Sequence, residues 1–173
     1  MDAEEIMNLL KSVLKEREYL DSSRVHTFGR SYGGYMSAIL GSRYHKHFKS
    51  AIVLNGVISI PAMLWFTDIP EWTTVETLKS ESLHFLEEKD YLEMLKQSPC
   101  HSAMQVPTLQ FLGAKDRRVP YRQGLLFEAI TKKSGTSIKT YLYENSGHSL
   151  EESVETIVDI GIKSMMFLEG IPE

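Results

Sequence analysis

The sequence predicts an α/β domain in which a mostly parallel sheet is flanked by helices. Three observations carry this. Four short apolar runs, around Val25 and Phe28, at 50–54, at 108–113 and at 138–143, have the length and content of strands packed inside such a sheet. Stretches with apolar residues at helical spacing alternate with them, as parallel crossover connections require. The first run leads into Gly29-Arg30-Ser31-Tyr32-Gly33, a Gly-x-Ser-x-Gly turn with another helical stretch behind it.

Taken in order, residues 4–19 read as an amphipathic helix. Ile6, Leu9, Leu10, Val13 and Leu14 form its apolar stripe, and Lys11, Lys15, Glu16 and Arg17 its wet side. It is expected to cover one face of the sheet. Leu20, Asp21, Ser22 and Ser23 make a polar turn into the first strand. At the elbow that follows, a serine sits on a strained backbone with Oγ projecting from the end of the sheet. A Cβ at Gly29 or Gly33 is expected to collide with the neighbouring strand or helix. The new helix, marked by Met36, Ala38, Ile39 and Leu40, aims its positive end at the same spot, so the Tyr32 N–H can hold a developing oxyanion.

His45, Lys46, His47 and Lys49 form a solvated basic patch rather than a metal site. Asn55-Gly56 ends the second strand. Residues 58–72, with Pro61, Met63, Leu64, Trp65, Phe66, Pro70 and Trp72, are too broken by proline for one long helix and too apolar for an exposed loop. They lie just past a strand's carboxyl end, where open α/β sheets bind ligands. Two readings stand side by side: part of a substrate pocket, or an apolar cluster under a loop. Residues 81–97 read as a helix with Leu83, Leu86, Tyr91, Leu92 and Leu95 on its apolar side, stopped by Ser98-Pro99. Pro107 introduces the third strand, a polar loop at 114–120 contains Asp116, and 121–133 is helical. The fourth strand is followed by the loop Asn145-Ser146-Gly147-His148, and an amphipathic helix at 153–168 closes the chain.

At 173 residues the chain has the size of one domain, able to bury roughly 70% of its unfolded surface. A net charge of −4 argues against nucleic acid or an anionic membrane as partner. Cys100 is the only cysteine, so no internal disulfide can form, and no Cys/His cluster suggests structural zinc or another metal. No cofactor is implied. The amino terminus carries no signal-peptide pattern and no apolar run spans a bilayer. The cytoplasm is the expected location.

Three loops after three strands carry Ser31, Asp116 and His148. A serine hydroxyl is a poor nucleophile near neutral pH. It needs a histidine to take its proton and a carboxylate to orient that histidine. Serine, acid and histidine here follow the chain order of α/β-hydrolases, each at the carboxyl edge of the sheet. Alternatives for the single residues are an ion-paired turn at Asp116-Arg117-Arg118 and a helix-capping role for His148.

Five stretches together resemble the acylaminoacyl-peptidase branch of the prolyl oligopeptidase family of serine peptidases. They are Gly29-Arg30-Ser31-Tyr32-Gly33-Gly34-Tyr35, Thr67-Asp68-Ile69-Pro70-Glu71-Trp72, Lys96-Gln97-Ser98-Pro99, Gly113-Ala114-Lys115-Asp116-Arg117-Arg118-Val119-Pro120 with Gln123-Gly124, and Ser146-Gly147-His148. The resemblance runs from about Arg24 to Leu168. It implies a partial α/β-hydrolase fold over residues 1–173, with the first strands of the hydrolase sheet, the upstream oxyanion loop and the family's β-propeller lacking. It implies Ser31 as nucleophile, Asp116 as orienting acid and His148 as base. The substrate would be a short peptide blocked at its amino end, from which the acylated residue is released. Candidate oxyanion and substrate-binding residues are Tyr32, Arg118, Trp65 and Phe66. Arg30 departs from the small residue the family often has before its serine, and a bulky cation there is expected to alter the pocket. An open sheet edge would invite pairing with a second copy. Two other functions remain beside the peptidase: a general carboxylesterase, and a catalytically silent module that acts by oligomerising or binding.

Overall fold

The computed structural model describes residues 2–80 and 86–171. Strands β1 (His26–Arg30), β2 (Ser50–Leu54), β3 (Thr108–Gly113) and β4 (Ile138–Tyr143) form one sheet. Their spatial order is their chain order, and every pair is parallel, with Phe28 beside Ile52, Ile52 beside Leu109 and Leu109 beside Lys139. The two central strands are buried along their whole length, which is why they read as unbroken apolar runs. The outer strands are wetter, and Phe28 on β1 is 61% exposed.

Helices cover both faces. Alternate β2 residues point opposite ways. Ala51 and Val53 join Ala38 of α2 (Tyr32–Arg43) and Phe127 of α6 (Arg122–Lys133), while Ile52 and Leu54 join Leu109, Phe111 and Ile160 of α7 (Val154–Glu169). Phe127 and Phe111 are fully enclosed, each side chain contributing about 1.5–3 kcal/mol by burial.

The amino-terminal helix α1 (Asp2–Glu16) does not lie on the sheet but packs on α2 through Ala3 and Met7 against Ile39 and Leu40. Its buried line is therefore rotated from the expected stripe, and Leu9 and Val13 stay exposed. The proline-rich segment folds as two short helices, α3 (Ile60–Phe66) and α4 (Pro70–Leu78). Each proline lies in a first turn, where its missing N–H costs nothing and its fixed φ suits the helix. Ser59 caps α3 by accepting from the Ala62 N–H. Helix α5 (Glu88–Gln97) starts at a capping box on Glu87 and Asp90. The first part of the expected helix, with Leu83, lies outside the described residues. Met94 is the residue α5 buries, against Val57, Ile60 and Met63, so Leu92 and Leu95 face solvent instead.

Candidate active site

Strand β1 ends at Arg30, and the chain turns sharply through Ser31, whose φ of 58° and ψ of −121° are strained for any residue with a side chain. The turn is held from outside and inside. The Ser31 N–H donates to Leu54 O at 3.0 Å, and Ser31 O accepts from Tyr35 N at 2.9 Å as α2 begins. A Cβ on Gly29 would sit 2.1 Å from Gly33 O, as expected of a flanking glycine. Gly33 differs from expectation, since a Cβ there would meet nothing within 4 Å. The close approach falls one residue later, where a Cβ on Gly34 would lie 2.7 Å from the Gly56 Cα. The chain just past β2 thus presses on the helix at Gly34.

His148 Nε2 lies 2.9 Å from Ser31 Oγ, and His148 Nδ1 lies 2.8 Å from Asp116 Oδ2. The Asp116 side chain is completely buried and that of His148 is 26% exposed. Asp116 Oδ1 accepts from the Arg118 and Val119 N–H groups, each at 2.8 Å. Both carboxylate oxygens are thus used and the group cannot rotate away. With a carboxylate against Nδ1, the neutral imidazole carries its proton there and presents Nε2 as an acceptor to the serine hydroxyl.

Two residues that sequence reasoning passed over support this arrangement. Asn55, read only as the end of a strand, is fully buried with φ of 41°. Its Nδ2 donates to Gly147 O at 3.0 Å and His148 O at 3.1 Å, and its Oδ1 accepts from Gly113 N at 2.8 Å. The available signal was an asparagine, a residue tolerant of positive φ, directly past the strand between the serine and acid strands. Glu152, four residues beyond the histidine, accepts from the Gly147 N–H at 2.7 Å. Burial raises the Glu152 pKa, but that hydrogen bond, with others to the backbone and to Ser149 and Ser146, outweighs it and holds the carboxyl below its ordinary value. Arg30 turns away from the cavities: its Nη1 donates to Ser149 O at 2.7 Å and Glu151 Oε1 at 2.6 Å, tying the elbow strand to the histidine loop.

Of the remaining candidates, Tyr32 and Phe66 each line a cavity, and Arg118 and Trp65 line neither. Tyr32 stacks on Tyr35 at 5.4 Å, meets Trp72 edge-on at 6.2 Å and donates its hydroxyl to the Asp2 carboxylate. Burial, reinforced by Asp2, pushes its phenol pKa far up. These residues wall a cavity of about 350 Å³ with Ile60, Glu76 and Glu93. Phe66 lines a second cavity of about 680 Å³ with Ala62, Thr67, Asp116, Tyr121 and Leu126. Arg118 is engaged by Asp68 through Nε at 3.1 Å and Nη2 at 3.3 Å, a fork that lowers the Asp68 pKa. Thr67 Oγ1 donates to Arg118 O at 2.7 Å, so the 67–72 stretch is fastened to the acid loop. Trp65 is 68% exposed and lines neither cavity. Among the described residues, no three His, Cys, Asp or Glu side chains converge to hold a metal ion, and no helix is long and apolar enough to cross a membrane.

Residues 1–168 match the prolyl oligopeptidase family. The acylamino-acid-releasing enzyme of Mus musculus is 36% identical over 170 residues, covering 96% of this chain and 23% of that protein. The Homo sapiens enzyme of that name is 35% identical over 172 residues, with the same shares. The chain thus spans about a quarter of the length of these relatives. Among solved structures, Pyrococcus horikoshii acylaminoacyl peptidase superposes with a TM-score of 0.84 at 26% identity, over 97% of this chain and 27% of that one. The parallel sheet, the flanking helices and the serine elbow are those of the α/β-hydrolase fold.

Proposed function

The chain belongs to the prolyl oligopeptidase family, and from that premise we propose that it is a serine hydrolase that releases an N-acylated amino acid from short blocked peptides in the cytoplasm. The observation that carries the reading is the unbroken line from Ser31 Oγ through His148 to buried Asp116, at 2.9 and 2.8 Å. Residues 1–173 act as one hydrolase unit in this reading. The similarity to acylamino-acid-releasing enzymes supports the choice of substrate.

Ser31 Oγ attacks the carbonyl carbon of the acylated residue while His148 Nε2 takes the hydroxyl proton. Asp116 holds the ring and favours the imidazolium. Tyr32 is the first residue of α2, so its N–H has no acceptor within the helix and faces the developing oxyanion. His148 then gives its proton to the leaving amine, and the bond to nitrogen breaks, leaving an acyl-enzyme on Ser31. Water, deprotonated by the same nitrogen, attacks that ester and frees the acylated amino acid. The cavity beside Tyr32 and Trp72 takes the side chain of the acylated residue. The Phe66 cavity, walled in part by Asp68, which Arg118 holds, takes the flanking part of the substrate.

A fluorophosphonate probe read by intact mass tests the nucleophile. Stoichiometric labelling that disappears in Ser31→Ala, followed by turnover of an N-acetylated peptide, supports the peptidase. Turnover of an aryl ester without the peptide moves the assignment to a carboxylesterase. A folded protein that takes no label leaves a silent module, a reading favoured by exposed Phe28 on an outer strand. Sedimentation would then report a homo-oligomer joined along β1.

A further inference from the structure

The elbow, the acid loop and the histidine loop come from parts of the chain far apart in sequence, yet all three are fastened to Leu54 and Asn55. Leu54 O accepts from Ser31 N at 3.0 Å. Asn55 Oδ1 accepts from Gly113 N at 2.8 Å, where β3 gives way to the acid loop. Asn55 Nδ2 uses both its protons, on Gly147 O and on His148 O. The Asn55 backbone N–H continues the β2–β3 ladder to Phe111 O at 2.9 Å. Gly56, next in the chain, abuts the first turn of α2 at Gly34. We propose that Asn55 is a positioning residue for the reaction: its amide sets the histidine loop against the acid loop and keeps the imidazole in line with both Ser31 and Asp116.

The amide suits this role by its chemistry. One side chain must accept from an N–H on one neighbour and donate twice to carbonyls on another, and among side chains of this size only an amide offers both. In full burial an unmade bond leaves a carbonyl oxygen unsatisfied, and the loop shifts to recover a partner. Reactions aligned by such contacts are steep in distance: a displacement of about 1 Å costs about 10²-fold. The positive φ offers a competing explanation, that the position needs only a residue tolerant of left-handed backbone. The two explanations predict opposite behaviour of glycine, which accepts the backbone and lacks the amide.

The proposal rests on the hydrolase reading, and its test separates the two. The His148 Nδ1–H proton, hydrogen-bonded to Asp116, gives a proton NMR signal far downfield of the amides and requires no turnover. It is recorded for wild type, Ser31→Ala, Asn55→Gly and Asn55→Asp, beside fluorophosphonate labelling rates and urea midpoints. Asn55→Asp keeps the shape and the acceptor while removing both donated bonds. The expected result is a signal kept in Ser31→Ala and lost or exchange-broadened in both folded Asn55 variants, with labelling ~10²-fold slower. A signal kept in wild type that takes no label sinks the hydrolase reading, while its loss in both folded Asn55 variants would still show that the amide aligns His148 with Asp116. Asn55→Gly with its signal intact and labelling within about threefold of wild type overturns the proposal. Failure of both variants to fold also overturns it, because Asn55 would then be holding the fold rather than the loop.

Discussion

The three glycines of the elbow, Gly29, Gly33 and Gly34, are chemically identical and close in sequence, yet the structure assigns their alanine variants opposite effects. An added Cβ at position 29 would lie 2.1 Å from Gly33 O and 2.2 Å from Gly33 C, far inside the ~3.5 Å separation at which carbon contacts become favourable. Both obstacles are backbone at the start of α2, so no side chain can rotate aside. The cost of Gly29→Ala falls at the upper end of the overpacking range, ~3 kcal/mol. Gly34→Ala meets the Gly56 Cα at 2.7 Å and should cost ~2 kcal/mol. Gly33→Ala meets nothing within 4 Å, and a helical glycine replaced by alanine gains up to ~1 kcal/mol. Urea unfolding monitored by tryptophan fluorescence should therefore separate Gly29→Ala and Gly33→Ala by ~3–4 kcal/mol in opposite directions. In thermal terms, Gly29→Ala should lower Tm by about 6–12 °C in a chain of this size. Equal destabilisation by Gly29→Ala and Gly33→Ala would refute the steric argument for the elbow.

Three further outcomes follow from the same site. Asp116→Asn keeps the shape but favours the wrong imidazole tautomer, and probe labelling should slow by about 10³–10⁴-fold with little change in Tm; a loss under tenfold would deny Asp116 its orienting role. Ser31→Gly removes a side chain from a conformation that costs ~1–3 kcal/mol, less ~0.5–1 kcal/mol for the freer unfolded chain, so the inactive variant should melt a few degrees higher; an unchanged or lower Tm would mean the turn is unstrained. Glu152 is held below its ordinary 4.5. A carboxyl lowered in the folded state contributes stability above its ordinary value, and that contribution fades as pH falls through the lower folded value. Glu152→Gln should therefore flatten the decline in urea midpoint between about pH 6 and about pH 3, and an unchanged slope would show that the carboxylate is not the lever.

What was readable from the sequence was what local pattern decides. Ser50–Leu54, Thr108–Gly113 and Ile138–Tyr143 form strands over the expected residues, because strands with buried faces advertise themselves as apolar runs. Ser31, Asp116 and His148 converge for a related reason: in a parallel sheet every loop that follows a strand opens on the same edge. Helical faces were harder. Leu9, Val13, Leu92 and Leu95 sit at plausible core spacing, but which line of a helix is buried depends on the partner, and α1 met α2 while α5 offered Met94. The prolines argued rightly against one long helix over residues 58–72, but not for the two short helices that Pro61 and Pro70 begin. The partners of Arg30 and Asn55 were illegible because Glu151 and His148 lie on loops brought near only by the finished sheet.

On the proposed reading, the strands' unbroken order also separates chemistry from choice. Ser31, Asp116 and His148 hang on β1, β3 and β4, whereas α3, α4 and α5 all belong to the connection between β2 and β3. That connection supplies Ile60, Trp72, Glu76 and Glu93 to one cavity and Ala62, Phe66 and Thr67 to the other. It enters and leaves the sheet at fixed strand ends, so its helices can be lengthened, exchanged or refaced without shifting the register of a single strand. Inheritance can therefore rewrite which molecules are admitted, as long as Thr67 keeps its tie to the acid loop, while the atoms that would cut them stay where they are.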